Sequence, residues 1–452
     1  MASSKNPPPP SDLIAHLKQA LARIVSPGQR LSLGLSGGID SLVLLDILAQ
    51  LRETLGFHLS AIHINHQISP NASAWARFCQ EQCAGRGIAL NVVTVDLLGR
   101  RQLGLEAAAR AARYHAFDQQ QADFIVLAHH LDDQVETLLL QMLRGAGVKG
   151  LSAMPQNSDK RSSTKPSLLR PLLGISRSTI ETYARNRSLQ WVEDESNIDI
   201  SYGRNFLRHE IFPKLETHFP AYRKTLFRVS RNLSESAQLQ DELAQLDAQS
   251  VLLQGKLDAA KLASLGVIRA KNLMRYYLVQ HEITMPSAQR LEEIVRQLGG
   301  AAEDASVHIK IGEFEIRRFR NQVSVHPLTK AIAIHPHWEW RGEPELSLPE
   351  MQRVLAFQPT VGQGLSLTKL QQQPVTIRLR QGGERLKPDC RRPRRSLKNL
   401  LQEAQIPPWQ RQRLPLLYCG DQLTMVLGIG IDCAYQAAPD EPGVLVAFLN
   451  PL

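Results

Sequence analysis

The 452-residue sequence predicts an α/β protein: a mostly parallel sheet with helices on both faces, then a mainly helical domain and a small α+β C-terminal domain. Three observations carry that prediction. Short apolar runs alternate with amphipathic stretches from residue 30 to about 194, a heptad-like leucine pattern takes over near residue 220, and scattered prolines precede a last segment that mixes strands with one helix. The length exceeds what one hydrophobic core organises, so several domains are required.

In chain order, "MASSKNPPPPSDL" has no apolar core of a signal peptide, and 1–28 reads as a flexible lead-in and first helix. Strand candidates follow at 30–36 ("RLSLGLS"), 58–65 ("HLSAIHIN"), 90–97 ("LNVVTVDL") and 123–130 ("DFIVLAHH"), each leading into a helical stretch. The polar run "PQNSDKRSSTKPS" at 155–167 reads as a mobile surface loop, after which helix and a short extended piece complete a domain at 29–218. Leucine spacing in "LFRVSRNLSESAQLQDELAQLDAQSVLLQ" makes 219–328 a helical domain that closes in a hairpin, "VHIKIGEFEIRRFRNQVSVH". Residues 329–356 read as a linker, and 357–452 as a last domain containing the helix "SLKNLLQEAQI".

Lys and Arg number 53 against 43 Asp and Glu, a net charge of +10 that favours a polyanionic partner. No apolar run approaches the ~20 residues of a membrane span. The five cysteines, odd in number and without a CxxC pair, argue against a disulfide framework or a zinc ribbon. A cytoplasmic location without membrane association is the expectation, and nothing implies a protein partner.

Chemistry enters at "LSLGLSGGIDSLVLLDIL", 31–48, where a glycine pair separates two apolar runs. In open parallel sheets ligands sit beyond the carboxyl ends of strands, where glycines let backbone N–H groups approach an anion at a helix start. Ser36, Gly37, Gly38, Ile39, Asp40 and Ser41 occupy that place. The glycines accept positive φ, and the two serines offer hydroxyls to phosphate oxygens. No lysine follows, so this is not a GxxxxGK[ST] loop. Asp40 would repel a bare phosphate, which points to Mg²⁺ bridging Asp40 and a nucleotide. A glycine pair alone would equally fit an ordinary strand-to-helix turn capped by Ser or Asp. The whole word, SGGxDS, resembles the pyrophosphate-binding PP-loop of N-type ATP pyrophosphatases. That resemblance implies a Rossmann-like catalytic domain that splits ATP between its α- and β-phosphates.

A second word, "LAHHLDDQVETLLLQMLRGAGVKGL" at 127–151, narrows the choice. Asp133 and Glu136 stand at i,i+3 and Asp132 and Glu136 at i,i+4, so three carboxylates share one side of a helix start beside His129 and His130. Carboxylates there can simply cap the helix. Three together could hold an ammonium group or Mg²⁺. The run resembles the AHHxDDQxET and RGxG signature of tRNA(Ile)-lysidine synthetases. "HINHQIS" at 63–69, "EAAARAARYHAF" at 106–117 and "WVEDESNIDISYGRNFLRHEIFPKL" at 191–215 match further family segments. "IRLRQGGERLKP" at 377–388 and "RRSLKNLLQEAQIPPWQRQRLPLLY" at 394–418 resemble the C-terminal domain of the longer bacterial form. Residues 376–415 carry eleven Lys/Arg against three Asp/Glu, with Trp409 among them, a composition suited to phosphate-backbone contact.

The resemblance implies a ligase that joins free L-lysine to carbon 2 of the wobble cytidine of tRNA(Ile) with a CAU anticodon, through an adenylated tRNA, releasing AMP and PPi. It implies ATP-binding by residues 36–41, His63 and His129, with Asp40 as the metal ligand. Asp133 and Glu136 would bind lysine, and one of them would take its proton. Arg113 would join Asp40, Asp133 and Glu136 in the catalytic set, and Arg204 and Arg208 would neutralise phosphates. Arg391, Arg392, Arg394 and Arg395 would contact tRNA. Two rival readings remain open: a PP-loop tRNA thiolase, which would need a sulfur-carrying cysteine, and a non-catalytic tRNA-binding protein on the same fold.

Overall fold

The computed structural model describes residues 10–95, 105–157, 165–195, 199–201, 203–302, 305–328 and 336–449. The proline-rich start and residues 158–164 of the polar loop lie outside them. The chain divides into two compact units, Met1–Leu243 and Ala244–Leu452.

In the first unit, α1 (Pro10–Ala22) precedes β1 (Arg30–Gly34), α2 (Ile39–Leu55), β2 (His58–Asn65), α3 (Ala72–Ala84), β3 (Ala89–Thr94), α4 (Leu105–Asp118), β4 (Phe124–Val126) and α5 (Leu131–Leu143). Then come α6 (Val148–Leu151), β5 (Ser167–Leu169), α7 (Arg177–Asn186), α8 (Gly203–Phe206), a π-helical turn (Leu207–Ile211), α9 (Phe212–His218) and α10 (Tyr222–Val251). The five strands form one parallel sheet in the order β3-β2-β1-β4-β5. The sequence indicates the first four strands; β5 is too short, at three residues, for alternation to reveal it.

This order fixes where a ligand can bind. Strand β1 has β2 on one side and β4 on the other, so the connections leave it in opposite directions and open a crevice beyond its carboxyl end. Helix α2 leaves from that crevice and is apolar almost all round, with Leu42, Val43, Leu44, Leu45, Ile47 and Leu48 buried. Such a helix needs cover on both sides. Leu13, Leu17 and Leu21 of α1, at i,i+4 spacing, and Ile180, Tyr183 and Ala184 of α7 join its core. Asp46, a buried carboxylate of α2, accepts from the Tyr183 hydroxyl at 2.9 Å and the Gln50 amide at 2.8 Å, as a buried charge must.

The second unit departs from the sequence reading in two places. Helices α11 (Ala259–Ser264), α12 (Val267–Gln280) and α13 (Ala288–Gly300) are present, but they accompany a five-stranded antiparallel sheet where only a terminal hairpin was expected. Its extra strands are two to five residues long and lie beside helices whose leucines dominate the pattern. The assigned linker, 329–356, is the other departure. Its described part forms strands His337–Trp340 and Glu345–Leu348 and begins Arg353–Val361, all paired within the C-terminal sheets. Pro336, Pro344 and Pro349 fall between the strands, where a missing N–H costs no ladder bond, so prolines here punctuate a meander.

A third correction concerns the cysteines. Cys390 and Cys433 are joined by a disulfide, while Cys79, Cys83 and Cys419 are free and buried. The bridge spans 43 residues and carries no local motif. Hydrogen bonds between the two segments bring them together, since the Cys433 backbone amide donates to Lys387 O at 2.8 Å and the Gln436 side-chain amide to Pro388 O at 3.1 Å. Among the described residues no helix is long and apolar enough to cross a membrane.

Candidate active site

Residues 36–41 lie where β1 gives way to α2. Gly37 has φ +89° and Gly38, the N-cap of α2, has φ −73°, so only the first glycine uses the left-handed region. A Cβ on Gly37 would sit 2.9 Å from Val192 Cγ2 and 3.1 Å from Cys79 Sγ, so close packing enforces glycine there as well. The loop satisfies itself with serines. The Gly37 amide donates to Ser41 Oγ at 3.2 Å and the Gly38 amide to Ser36 Oγ at 3.3 Å. A phosphate oxygen entering the loop would take over these two N–H donors at a helix N-terminus.

Asp40 is on the first turn of α2, and burial raises its carboxyl above the usual value against the pull of His130 and Arg177. Its Oδ1 is enclosed and has no hydrogen-bond partner. An orphaned carboxylate oxygen beside a phosphate loop suits a divalent cation. Among the described residues no cluster of three or more potential ligands occurs, and Asp40 is the residue that would hold Mg²⁺ here.

On the facing side, α5 begins at His130, whose Nδ1 accepts from the Asp132 amide while the Asp133 carboxylate accepts from the His130 amide at 3.0 Å. This capping box fixes Asp133. The three acidic residues do not stay together. Asp132 turns to Arg223 and the Arg177 amide, whereas Asp133 and Glu136 converge on Arg208. Arg208 Nη2 donates to Asp133 Oδ1 at 3.0 Å and Glu136 Oε2 at 2.9 Å, and its Nε to Glu136 Oε1. Helix geometry allowed Asp132 to join them; competition from other cations parted it from them.

The pair is driven to opposite sides of the ordinary range. Burial alone would raise Asp133, but His130, His129, the His130 amide and Arg208 together hold it low. Burial wins at Glu136, which is fully buried and raised in spite of Arg208. Arg208 belongs to the π-helical turn, a rare element often found at functional sites.

Ser36, Asp40 and Ser41 of the loop and Asp133 of the pair line one cavity of about 760 Å³, together with His63, His66, Arg113, His129, Arg204 and Arg208, while Glu136 is tied to it only through Arg208. The volume suits a nucleotide-sized ligand. His63 is pinned through Nδ1 to Leu35 O at 2.8 Å, and His129 Nδ1 accepts from Arg170 Nε at 3.3 Å. Burial depresses both rings, His129 to about 4. Sequence reasoning singled out neither His66 nor Asp194 and Glu195, which also line the cavity. "HINHQIS" and "VEDES" held the signal. No cysteine lines this cavity among the described residues, and burial pushes the thiols of Cys79 and Cys83 up to about 12 and about 11.

The four C-terminal arginines expected to contact tRNA, Arg391, Arg392, Arg394 and Arg395, separate into two pairs. Arg391 and Arg392 are exposed. Arg394 is bound to the buried Asp432 at 3.0 Å and Arg395 to Glu403. Trp409 packs under the Arg317 guanidinium, 5.0 Å from its ring centre, and edge-on to Phe319.

Comparisons with known proteins cover almost the whole chain. A family model described as a PP-loop domain matches residues 10–215, a TilS substrate binding domain matches 257–324, and a TilS substrate C-terminal domain matches 375–448. A tRNA(Ile)-lysidine synthase of Nitrosomonas europaea is 47% identical over 99% of this chain and 98% of its own length. Those of Aromatoleum aromaticum and Coxiella burnetii are 38% and 37% identical, over 95% and 90% of this chain and 99% and 90% of theirs. A solved U34-tRNA thiolase, NcsA of Methanococcus maripaludis, overlaps 50% of this chain and 79% of its own, at a TM-score of 0.44 and 19% identity.

Proposed function

The chain belongs to the tRNA(Ile)-lysidine synthase family, an ATP-using, tRNA-modifying group of enzymes, and from that premise we propose that it ligates free L-lysine to carbon 2 of the wobble cytidine of tRNA(Ile) with a CAU anticodon. The observation that carries this reading is the convergence, around one cavity, of Ser36 and Ser41 of the loop, the unpartnered Asp40 oxygen, and Asp133, which Arg208 ties to the buried Glu136.

The target base leaves its stack and enters the cavity as a flipped, single-stranded nucleotide. The Gly37 and Gly38 amides and the Ser36 and Ser41 hydroxyls hold the β- and γ-phosphates of ATP while the cytidine O2 attacks the α-phosphorus. An adenylated base forms and PPi leaves. Asp40 would hold Mg²⁺, which when bound would supply positive charge at the leaving pyrophosphate. Arg113 and Arg204, which share the cavity, add fixed guanidinium donors. Lysine then approaches with its ε-ammonium toward Asp133 and Glu136. These carboxylates are already held by Arg208, so the ammonium competes with that guanidinium for them. Asp133, kept ionised by its neighbours, offers the ammonium a charged partner, and one of the two carboxylates takes its proton. Once deprotonated, the amine attacks carbon 2 and AMP departs with the O2 oxygen.

The test is incubation with ATP, Mg²⁺, labelled lysine and tRNA(Ile) bearing CAU, with tRNA(Met) as control. Label in the first tRNA alone supports the proposal. ATP–PPi exchange without incorporation of lysine would overturn the choice of nucleophile.

A further inference from the structure

The steps above leave several rings of the cavity unused, and one of them makes no hydrogen bond. His66 follows the last residue of β2 and lines the same space as Ser36, Asp40 and Arg113. Both of its ring nitrogens are enclosed, and neither has a hydrogen-bond partner. The other histidines of the site each use a nitrogen: His63 on Leu35 O, His129 on Arg170, His130 on the Asp132 amide. A polar group shut away from water without a partner costs about 1–3 kcal/mol, and native structures retain few of them. The chain also holds His66 in place at some cost. Gln67, next in sequence, has φ +54° without being glycine, and its amide donates to Asn65 Oδ1 at 2.9 Å to close the turn.

We propose that His66 reads a nucleobase, one of its ring nitrogens accepting a hydrogen bond from the exocyclic amine of a base bound in the cavity. The inference rests on the nucleotide-binding reading of the cavity given above. Such an acceptor requires an unprotonated imidazole, and burial, with Arg113 and His63 beside it, pushes His66 down to about 4. Near neutral pH the ring therefore presents one donor and one acceptor. An N–H of an amine satisfies the acceptor, whereas the carbonyl of uracil or hypoxanthine in that place meets a lone pair with a lone pair. Two bases in the proposed reaction carry such an amine, the adenine of ATP and the target cytosine, and the experiment separates them.

In one arm, calorimetry compares binding of ATP with that of purine riboside triphosphate, which lacks only the 6-amino group. In the other, lysidine formation is compared on tRNA(Ile) bearing cytidine or its 4-deamino analogue at the wobble position. Wild type should prefer the amine-bearing partner on the order of 10- to 100-fold in one arm, the range for a buried hydrogen bond left unmade. His66→Phe should abolish that preference while leaving the deamino compound unaffected, and His66→Gln, which retains an acceptor, should restore part of it. Loss of preference in the ATP arm assigns His66 to adenine, and loss in the tRNA arm to cytosine. Because each result is a ratio within one variant, a lower folded fraction does not mimic it. A His66→Phe protein as selective as wild type in both arms overturns the inference. The ATP arm needs no turnover, so a wild type that binds ATP selectively but makes no lysidine would sink the proposed function and leave this inference standing.

Discussion

Replacing Arg208 with Met keeps an aliphatic chain of similar length and removes the cation between two buried carboxylates. Glu136 is 0% and Asp133 8% exposed, and Arg208 supplies each with hydrogen bonds. Breaking a buried ion pair from one side costs about 3–5 kcal/mol; Arg208 retains 28% side-chain exposure, which places this case near ~3 kcal/mol. For a unit of this size that is a fall in Tm of roughly 6–12 °C. The loss should depend on pH. Glu136 has a folded value above its unfolded one, so the folded state holds a proton that the unfolded state releases. The stability this brings is full below the unfolded value and is lost as pH rises through the folded value. Without Arg208, burial is unopposed and the folded value climbs further, so Arg208→Met should lose most near pH 8 and least near pH 5.5. Asp133 runs the other way: its lowered value contributes above the unfolded value and is lost as pH falls through the folded one, with His130 and His129 still supporting it. Calorimetry of the full chain at the two pH values, with Arg208→Met/Glu136→Gln as the rescue, reads these effects. Equal losses at both pH values, with no recovery from Glu136→Gln, would refute the reasoning.

Asp40→Asn should cut Mg²⁺-dependent ATP–PPi exchange by on the order of 100-fold or more while leaving tRNA affinity within about twofold; a filter-binding loss matching the exchange loss would contradict that division. Gly37→Ala places a methyl 2.9 Å from Val192 at φ +89° and should cost about 1–3 kcal/mol of stability together with ATP affinity, both read in one titration calorimetry and melting series; an unaltered melt would show that the loop relaxes freely. Arg391→Glu with Arg392→Glu should weaken tRNA binding and lower the salt slope by about 2 with no change in Tm. Arg394→Glu should instead lower Tm, because it leaves Asp432 buried at 1% exposure without its cation. A lower Tm in the first variant, or none in the second, would reverse the assignment.

How much of this was legible in the sequence follows from the range of the forces involved. The first four strands, the loop 36–41 and the helix carrying Asp133 and Glu136 were legible because alternation, glycine placement and i,i+3 spacing are local. What was missed depends on partners far along the chain. Asp132 parts from Asp133 because Arg223, 91 residues away, pairs with it. Arg394 differs from Arg391 because Asp432, 38 residues on, lies beneath it. Prolines marked 329–356 as a linker, since composition cannot tell turns between strands from a free segment. His66 passed unremarked because its significance is a hydrogen bond it does not make.

His130 shows how the two halves of the site are linked. Its Nδ1 accepts from the Asp132 amide, so in the neutral ring Nε2 carries the proton. That Nε2 lies 3.6 Å from Asp40 Oδ1 and 3.5 Å from Asp133 Oδ2, between the carboxylate proposed for the metal and the one proposed for lysine. Both distances are longer than a hydrogen bond, so the ring acts on the two carboxylates through its charge distribution. His130 pulls Asp40 and Asp133 alike toward the ionised form, against the burial that opposes it at each. The imidazole that caps α5 therefore acts at once on the carboxylate proposed for the metal and on the one proposed for lysine.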